Sequence, residues 1–145
     1  MCLETHFKRK VAEENIVVYK ILRKITSKEK NKVFYEPPYY WWKRFSYKQG
    51  INSVASEKED LKRQYTLLSG CYTLVEGGFL HAYSDMIHAF TAMSSNFSNS
   101  DNFLFNVEYN VYKMIIPKGT EYYVGSYYDI CAKELFWEDM TPCEL

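Results

Sequence analysis

The sequence predicts an α+β domain with a mostly antiparallel sheet of about five or more strands and two or three helices. The first observation is that at least five stretches alternate along the chain with the period of two that strands show. The second is that two other stretches open with side chains that cap helices and continue with helical spacing. The third is their order, because the helical stretches fall between runs of strands. A chain of 145 residues has the length of one domain, which we expect to span residues 1–145.

Charge is distributed unevenly along a chain whose formal net charge is zero. Residues 1–50 contain twelve Lys and Arg and five Asp and Glu, whereas residues 51–145 contain six and thirteen. Such an asymmetry indicates either a basic surface for an anionic partner or two parts of one chain that neutralise each other in the fold. Aromatic residues make up 18 % of the chain, and tyrosine in such numbers favours strands and half-wet surfaces.

The four cysteines, Cys2, Cys71, Cys131 and Cys143, show no CxxC spacing and no zinc pattern with a histidine. The amino-terminal residues lack the apolar core of a signal peptide, and no stretch approaches the ~20 apolar residues of a membrane span. We therefore expect a cytoplasmic protein with reduced thiols, no membrane segment, no metal and no cofactor. The even number of cysteines leaves a disulfide open.

The first part of the chain predicts an arm, a strand and a turn. Residues 1–15 are polar and charged, which is typical of a short helix or a mobile arm. Residues 16–25, with the sequence IVVYKILRKI, form the first predicted strand. Residues 26–32 are a solvated loop or turn.

An aromatic and basic segment follows at residues 33–50. Pro37 and Pro38 bar a helix and keep the backbone extended. The residues after them form either a sheet edge whose rings cap the core beneath basic stems, or a platform on which rings stack with a base while cations meet phosphates. In the second interpretation the binding residues are Trp41, Trp42, Lys43, Arg44 and Tyr47.

Two later stretches are predicted to be helical. In residues 56–70, Ser56 and Glu59 have the spacing of a capping box, and apolar residues then recur at spacings of four and three. Ser84 caps the second helix, which continues to Met93 with apolar residues on one face. A strand at residues 71–79 that runs into a Gly-Gly turn separates the two.

The motif VYKMIIPKGTEYYVG at residues 111–125 predicts a strand, a Pro-Lys-Gly turn and a second strand that pairs with the first as a hairpin. This hairpin is either a core element with no chemistry of its own or the site of a ligand contact, for which Lys118 at the tip of the turn is the candidate. Residues 130–137 form the last predicted strand, on which Glu134 lies among apolar neighbours and needs a partner or a cleft. Residues 138–145 are polar and are expected to be a frayed tail.

His81 lies just after the two glycines at residues 77–78 and is a candidate for a pocket residue. A lone histidine without a positioned carboxylate or cysteine is more commonly structural, so both roles stay open. The sequence contains no GxGxxG, P-loop, HExxH, nucleophile-elbow or EF-hand pattern.

The order of these landmarks resembles a family of small proteins from gut bacteria and their phages, to which no activity is assigned. Its members carry a VYK strand, a GF dipeptide before a helix, an IPKGT-Y-Y-x-G hairpin and a terminal strand. The matching residues here are 18–20, 78–79 with the helix 84–93, 116–125 and 132–135. The resemblance spans most of residues 16–137, and its most specific part is the IPKGT hairpin.

The same order is distantly similar to the ADP-ribosyltransferase fold. That family has an Arg on its first core strand, a Ser-Thr-Ser strand before a helix, a P-x-G-T hairpin and a catalytic Glu near the last strands. Here Lys20 stands at the Arg position, residues 81–84 at the Ser-Thr-Ser strand and Glu134 at the Glu position. The resemblance implies NAD chemistry in a cleft around Tyr19, Lys20, His81 and Glu134, with a lysine that lacks the planar fork of Arg.

The sequence favours a non-enzymatic binding or interaction protein, which the first resemblance links to phages or mobile elements. The alternative is a diverged ADP-ribosyltransferase-like enzyme or NAD-binding protein, with Lys20, His81 and Glu134 as candidate catalytic residues. The partner is open between another protein and single-stranded nucleic acid, and a homodimer that buries exposed aromatics is a third interpretation. The candidate binding residues are Trp41, Trp42, Lys43, Arg44, Tyr47 and Lys118.

Overall fold

Strands account for 52 % of the structure and helix for 9 %. The structure is a computed structural model, which describes residues 3–38, 45–54, 58–66 and 70–145. These residues contain one α-helix, α1 (Met86–Asn96). Their strands are β1 (Leu3–Thr5), β2 (Lys10–Val11), β3 (Ile16–Ser27), β4 (Lys32–Glu36), β5 (Gly50–Ser53), β6 (Asp60–Thr66), β7 (Gly70–Gly77), β8 (Leu80–Tyr83), β9 (Ser100–Asp101), β10 (Phe105–Ile116), β11 (Glu121–Val124), β12 (Asp129–Ala132) and β13 (Glu134–Trp137).

The predicted α+β class is wrong, because the described residues form one helix rather than two or three and a large antiparallel sheet. The stretch expected to be the first helix forms β6, which pairs antiparallel with β7 along its seven residues. The local helix signals there are a cap, worth about 1 kcal/mol, and a narrow apolar stripe. Pairing along a whole strand outweighs them, as tertiary context commonly does.

The longest ladder joins β3 and β10, which pair antiparallel over all twelve residues of each strand. Successive side chains point to opposite faces of the sheet. One face carries Leu22 and Tyr112 into the main core. The other carries Ile21 and Val111 against Ala89 of α1. The ladder is therefore covered on both sides along its middle, as the apolar character of both strands predicts.

The large sheet closes on itself. Its order is β2-β11-β12-β8-β3-β10-β13-β5, and β12 and β13 are consecutive pieces of one stretch, interrupted at Lys133. The path β12-β8-β3-β10-β13 therefore returns to the stretch from which it starts. The residues predicted as one terminal strand pair with β8 and β11 before the break and with β10 and β5 after it.

The enclosed core is centred on Trp137, whose side chain is fully buried. Tyr35 and Tyr112 meet its ring edge-on, each with ring centroids 5.0 Å from it. Aromatic pairs in this arrangement contribute about 0.5–1.5 kcal/mol beyond the burial of their area. The three rings join β4, β10 and β13 across the interior.

The Pro-Lys-Gly turn forms as predicted, but the predicted pairing of its flanking strands is wrong. The N–H of Thr120 donates to the oxygen of Pro117 at 3.1 Å, and Gly119 has a φ of +89°. However, β10 pairs with β3, β9 and β13, whereas β11 pairs with β2 and β12. The turn is thus a corner between two parts of the closed sheet and not the tip of a hairpin.

The amino-terminal residues lie in strands rather than in a helix or a mobile arm. β1 joins β7 and β6 in a separate three-stranded sheet, with Leu3 opposite Val75. Leu3 is fully buried in a second cluster with Val75, Phe79 and Tyr123. The hydroxyl of Thr5 donates to the oxygen of Val124 at 2.5 Å. The apolar residues among the charges of residues 1–15 fix this segment to the sheet.

The carboxyl-terminal tail has no regular structure, yet it is attached at several points. The indole N–H of Trp137 donates to the oxygen of Asp139 at 3.0 Å. Met140 packs against the main core. The N–H of Cys143 donates to the oxygen of Val111 at 2.7 Å. Residues 138–143, which were expected to be a frayed tail, therefore contact buried parts of the sheet at three points.

Helix α1 lies close to its predicted position. Asp85, rather than Ser84, is the capping residue, since its carboxylate accepts the N–H of His88 at 3.1 Å. Such caps satisfy one of the free N–H groups of a first helical turn.

Within the described residues, no helix has the length and apolar character to cross a membrane.

Gly78 and Gly119 both have a positive φ, but only at Gly78 would an added Cβ also clash with a neighbour. Substitution of both therefore distinguishes the cost of backbone strain from the cost of a steric clash. We expect Gly119→Ala to lower the free energy of unfolding by about 1–2 kcal/mol, the cost of a left-handed backbone, because nothing lies within 4 Å of an added Cβ there. Gly78→Ala should cost clearly more, since its Cβ would lie 2.8 Å from the Cα of Glu59. Urea unfolding of both variants measures the difference, and equal losses would contradict the close approach.

Candidate functional site

Two of the candidate catalytic residues, Lys20 and His81, are both buried, and the side chain of Lys20 reaches the backbone of His81. The ammonium nitrogen of Lys20 donates to the backbone oxygen of His81 and lies 5.6 Å from the centroid of the Tyr47 ring. The exposed fraction is 6 % for Lys20, 7 % for His81 and 4 % for Tyr47. The structure therefore brings three predicted site residues together, but in the interior and not on a cleft wall.

The environment of this buried group disfavours charge. Burial lowers the pKa of Lys20 to about 7, because an ammonium loses its hydration there. Burial, and second the charge of Lys20, lower the pKa of His81 to about 3. Among the described residues, neither ring nitrogen of His81 has a hydrogen-bond partner. Burial also raises the pKa of the Tyr47 hydroxyl. A substrate could reach these groups only if the core opened.

Lys118 and Glu134 lie elsewhere, on an open recess with a volume of about 550 Å³. The turn at residues 117–120 forms one side of it. The backbone N–H of Lys118 donates to the side-chain oxygen of Asn15 at 2.9 Å, which fixes the turn. The other charged residues on the recess are Glu59, Glu121 and Lys133. Sequence reasoning selected two residues of this recess without a signal that they are neighbours.

The remaining charges of the recess pair with one another. Arg9 contacts Glu59 at 2.6 Å and Glu121 at 3.0 Å, and Lys133 contacts Glu59 at 2.8 Å. The hydrogen bond from Arg9, followed by that from Lys133, lowers the pKa of Glu59 to about 2. Arg9 also lies 5.4 Å from the centroid of Phe79. This cluster ties the segment before β6 to the large sheet, so we assign it a structural role.

The aromatic and basic segment is only partly described. Trp41, Trp42, Lys43 and Arg44 lie outside the described residues. Immediately after them, the ring of Phe45 meets that of Tyr47 edge-on at 4.9 Å, and the N–H of Tyr47 donates to the oxygen of Tyr35 at 2.7 Å. The described end of the segment thus matches the interpretation of rings that cap the core.

A surface that sequence reasoning missed lies at the far end of the β3–β10 ladder. The register places Phe105 opposite Ser27 and Ser27 opposite Lys32. The next row on the same face carries Val107, Ile25 and Phe34 in register. Phe34 and Phe105 are 41 % and 43 % exposed. The two rings therefore share one face of the sheet, separated by one strand and one row.

Phe103 extends this surface from the bend before β10. Its side chain is 86 % exposed. The side-chain oxygen of Asn102 accepts the N–H groups of Leu104 and Phe105, both at 2.8 Å, which holds the bend. The N–H of Lys28 donates to the oxygen of Leu104 at 2.9 Å, so the turn between β3 and β4 lies beside it. We call the set of Lys30, Lys32, Phe34, Phe103 and Phe105 the open corner.

Helix α1 leaves the open corner uncovered. The helix ends at Asn96, and the following Phe97 stacks on Tyr109 with ring centroids 4.9 Å apart. Tyr109 lies opposite Arg23, one row before the row of Phe34. In the sequence, three consecutive apolar residues after a polar linker, Phe103 to Phe105, were the available signal for this surface.

A second exposed aromatic group lies at the start of α1. His88 stacks on Tyr128 with ring centroids 3.8 Å apart, and its Nδ1 lies 2.5 Å from the carboxylate of Asp85. Tyr128 has a φ of +60°, held by the N–H of Ser84, which donates to its oxygen at 2.7 Å. Tyr127 beside it is 78 % exposed.

We expect Lys20→Met to raise the stability of the protein at pH 7 and to remove a dependence on pH. The pKa of Lys20 is about 7 in the fold against an ordinary value of 10.5. Between these values the unfolded chain binds the extra proton, so the stability of the wild type should rise from pH 7 to pH 9. Thermal unfolding at both values measures it.

Lys113→Met is the matched control, because Lys113 lies on the same ladder with an exposed side chain. It should keep the rise in stability between pH 7 and pH 9. An unchanged rise in Lys20→Met would show that Lys20 is not the group that titrates.

Comparisons with protein-family models, with curated proteins and with solved structures found no match to this chain.

Proposed function

We propose that this protein is a non-enzymatic binding protein and that the open corner is its contact surface. The observation that carries the proposal is the exposure of Phe34, Phe103 and Phe105 at an end of the sheet that α1 leaves uncovered. Exposed apolar groups that lie together, with a polar rim, are typical of interaction sites. Single exposed apolar residues need no such explanation, but here three rings lie within two strands and a bend.

Energetic considerations support the proposal. Full burial of a phenylalanine side chain stabilises a fold by about 1.5–3 kcal/mol relative to exposure. Phe103 contributes little of this stabilisation, because 86 % of its surface stays exposed to water. A partner that covers the ring would recover the difference as binding free energy.

The placement of the candidate catalytic residues supports a binding protein over the enzyme alternative. Transferase chemistry of the implied type needs Lys20 and Glu134 around one cleft. Lys20 lies in the core with an exposed fraction of 6 %, whereas Glu134 lies on the recess formed with the turn at residues 117–120. Three of the five charged residues of that recess, Glu59, Glu121 and Lys133, form ion pairs with one another or with Arg9.

The test is the yield of macromolecular adducts after crosslinking in cells. Tagged wild type, the double variant Phe34→Thr/Phe103→Ser and the control Ile87→Ala/Tyr127→Ser would be crosslinked, purified under denaturing conditions and assayed for bound protein and bound nucleic acid. We expect the adduct yield of the double variant to be at least about fivefold lower than that of the wild type. A loss of about 1 kcal/mol of binding free energy has this effect.

The control removes two exposed apolar side chains from the start of α1 and should keep the adducts of the wild type. Equal yields for wild type and the double variant would contradict the proposal. Thermal unfolding of all three proteins checks that the substitutions leave the fold intact.

A further inference from the structure

We propose that the partner of the open corner is single-stranded nucleic acid, with bases stacked on its phenylalanine rings and phosphates on Lys30 and Lys32. This inference rests on the proposed function, since it requires that the open corner is a contact surface. It goes further by naming the chemistry that fits both the rings and the charges.

The register places a cation beside a ring. Lys32, Ser27 and Phe105 lie side by side in one row across three strands. Strands are ~4.8 Å apart, so the row spans ~10 Å between its outer residues. Ser27 between them is 6 % exposed, and its hydroxyl oxygen accepts the N–H of Lys30 at 3.3 Å, so Lys30 of the turn also lies at this end of the row. A base on Phe105 would therefore bring its own phosphate towards Lys32.

The rings form a stacking surface that does not depend on base identity. Phe34 lies one row further along the same face, and Phe103 projects from the bend that leads into Phe105. Every base has a π face, so exposed rings at successive positions bind single strands with little sequence preference. A duplex keeps its bases stacked on one another and would offer these rings no free face.

The charge of the surface matches a polyanion. Residues 24–34 contain four lysines and one glutamate, but Lys24 lies in register with Glu108 and Tyr35 on the opposite face and does not add to this surface. Lys28 pairs with Asp101 at 2.6 Å, whereas Lys30 and Lys32 are exposed and have no ion pair within the described ranges. The two rows of the shared face contain no carboxylate. Phosphates would supply the missing counter-charges and release their own counterions.

The same charges disfavour a second copy of this chain as the occupant. In a twofold dimer the same patch meets itself. Lys30 and Lys32 of both copies would then lie in one interface whose two rows contain no carboxylate, and like charges brought close together destabilise a contact. An acidic protein remains as the other macromolecule that could satisfy the lysines, and the experiment separates it from nucleic acid.

The experiment is fluorescence anisotropy of a labelled oligothymidine of about 15 nucleotides, within the ~4–16 nucleotides that single-strand sites cover. Purified full-length protein is titrated at salt concentrations from about 50 to about 200 mM. We expect the logarithm of the affinity to fall linearly with the logarithm of the salt concentration. For a single strand, each phosphate contact contributes about −0.7 to the slope of this line.

Two variants separate stacking from charge. Phe103→Ser should weaken binding about five- to hundredfold, as the loss of one stacked base does, without a change in the salt slope. Lys30→Gln/Lys32→Gln should make the slope shallower by about 1.4, since two phosphate contacts are lost. The controls Tyr127→Ser and Lys113→Gln should bind like the wild type.

Several results would overturn the inference. Absence of oligothymidine binding at low salt would do so, as would binding that neither open-corner variant weakens. Phe103→Leu, which keeps an apolar side chain but removes the ring, must weaken binding as well, or stacking is not the interaction. If crosslinked adducts depend on the open corner but contain only protein, the nucleic-acid inference fails while the proposed function stands. If the adducts do not depend on it, both fail.

Discussion

The pairing of β3 with β10 is the constraint on which the rest of the structure depends. Twelve paired residues in an antiparallel strand extend for about 40 Å, whereas an eleven-residue helix is about 16 Å long. One helix can therefore cover less than half of the face that the ladder presents to it. The closed part of the sheet and α1 bury the middle of the ladder, and its far end stays open. The position of the open corner follows from this difference in length.

Strand positions were largely predictable, but strand partners were not. The alternation of residues 16–25 and 111–116 identified most of β3 and the second half of β10, because side-chain period is a local property. The pairing of β10 with β3 rather than with β11 is decided by the packing of distant residues around Trp137. The same holds for β6, where the local signals favoured a helix and the partner β7 imposed a strand.

At the candidate site, too, local sequence identified residues but did not predict their surroundings in the fold. The resemblance to the ADP-ribosyltransferase fold selected Lys20 and the position after two glycines selected His81, and in the structure the side chain of Lys20 bonds to the backbone oxygen of His81. Nothing local to either residue indicated burial, which results from the closure of the sheet around them. Phe103 and Phe105 are apolar, yet both are exposed, because α1 ends at Asn96 and the bend held by Asn102 carries Phe103. Exposure of an apolar residue is a property of the whole fold.

The β3–β10 ladder also affects how the chain reaches its fold. Its outermost pairs join residues 78 and 100 positions apart, Ser27 with Phe105 and Ile16 with Ile116. Contacts between such distant residues require the entropy of a long loop to be overcome first, and they slow folding. During synthesis, β3 leaves the ribosome well before its long partner exists. The lysines at the end of β3 and in the turn after it then act as gatekeepers, because charges beside an unpaired apolar strand oppose its association with other chains.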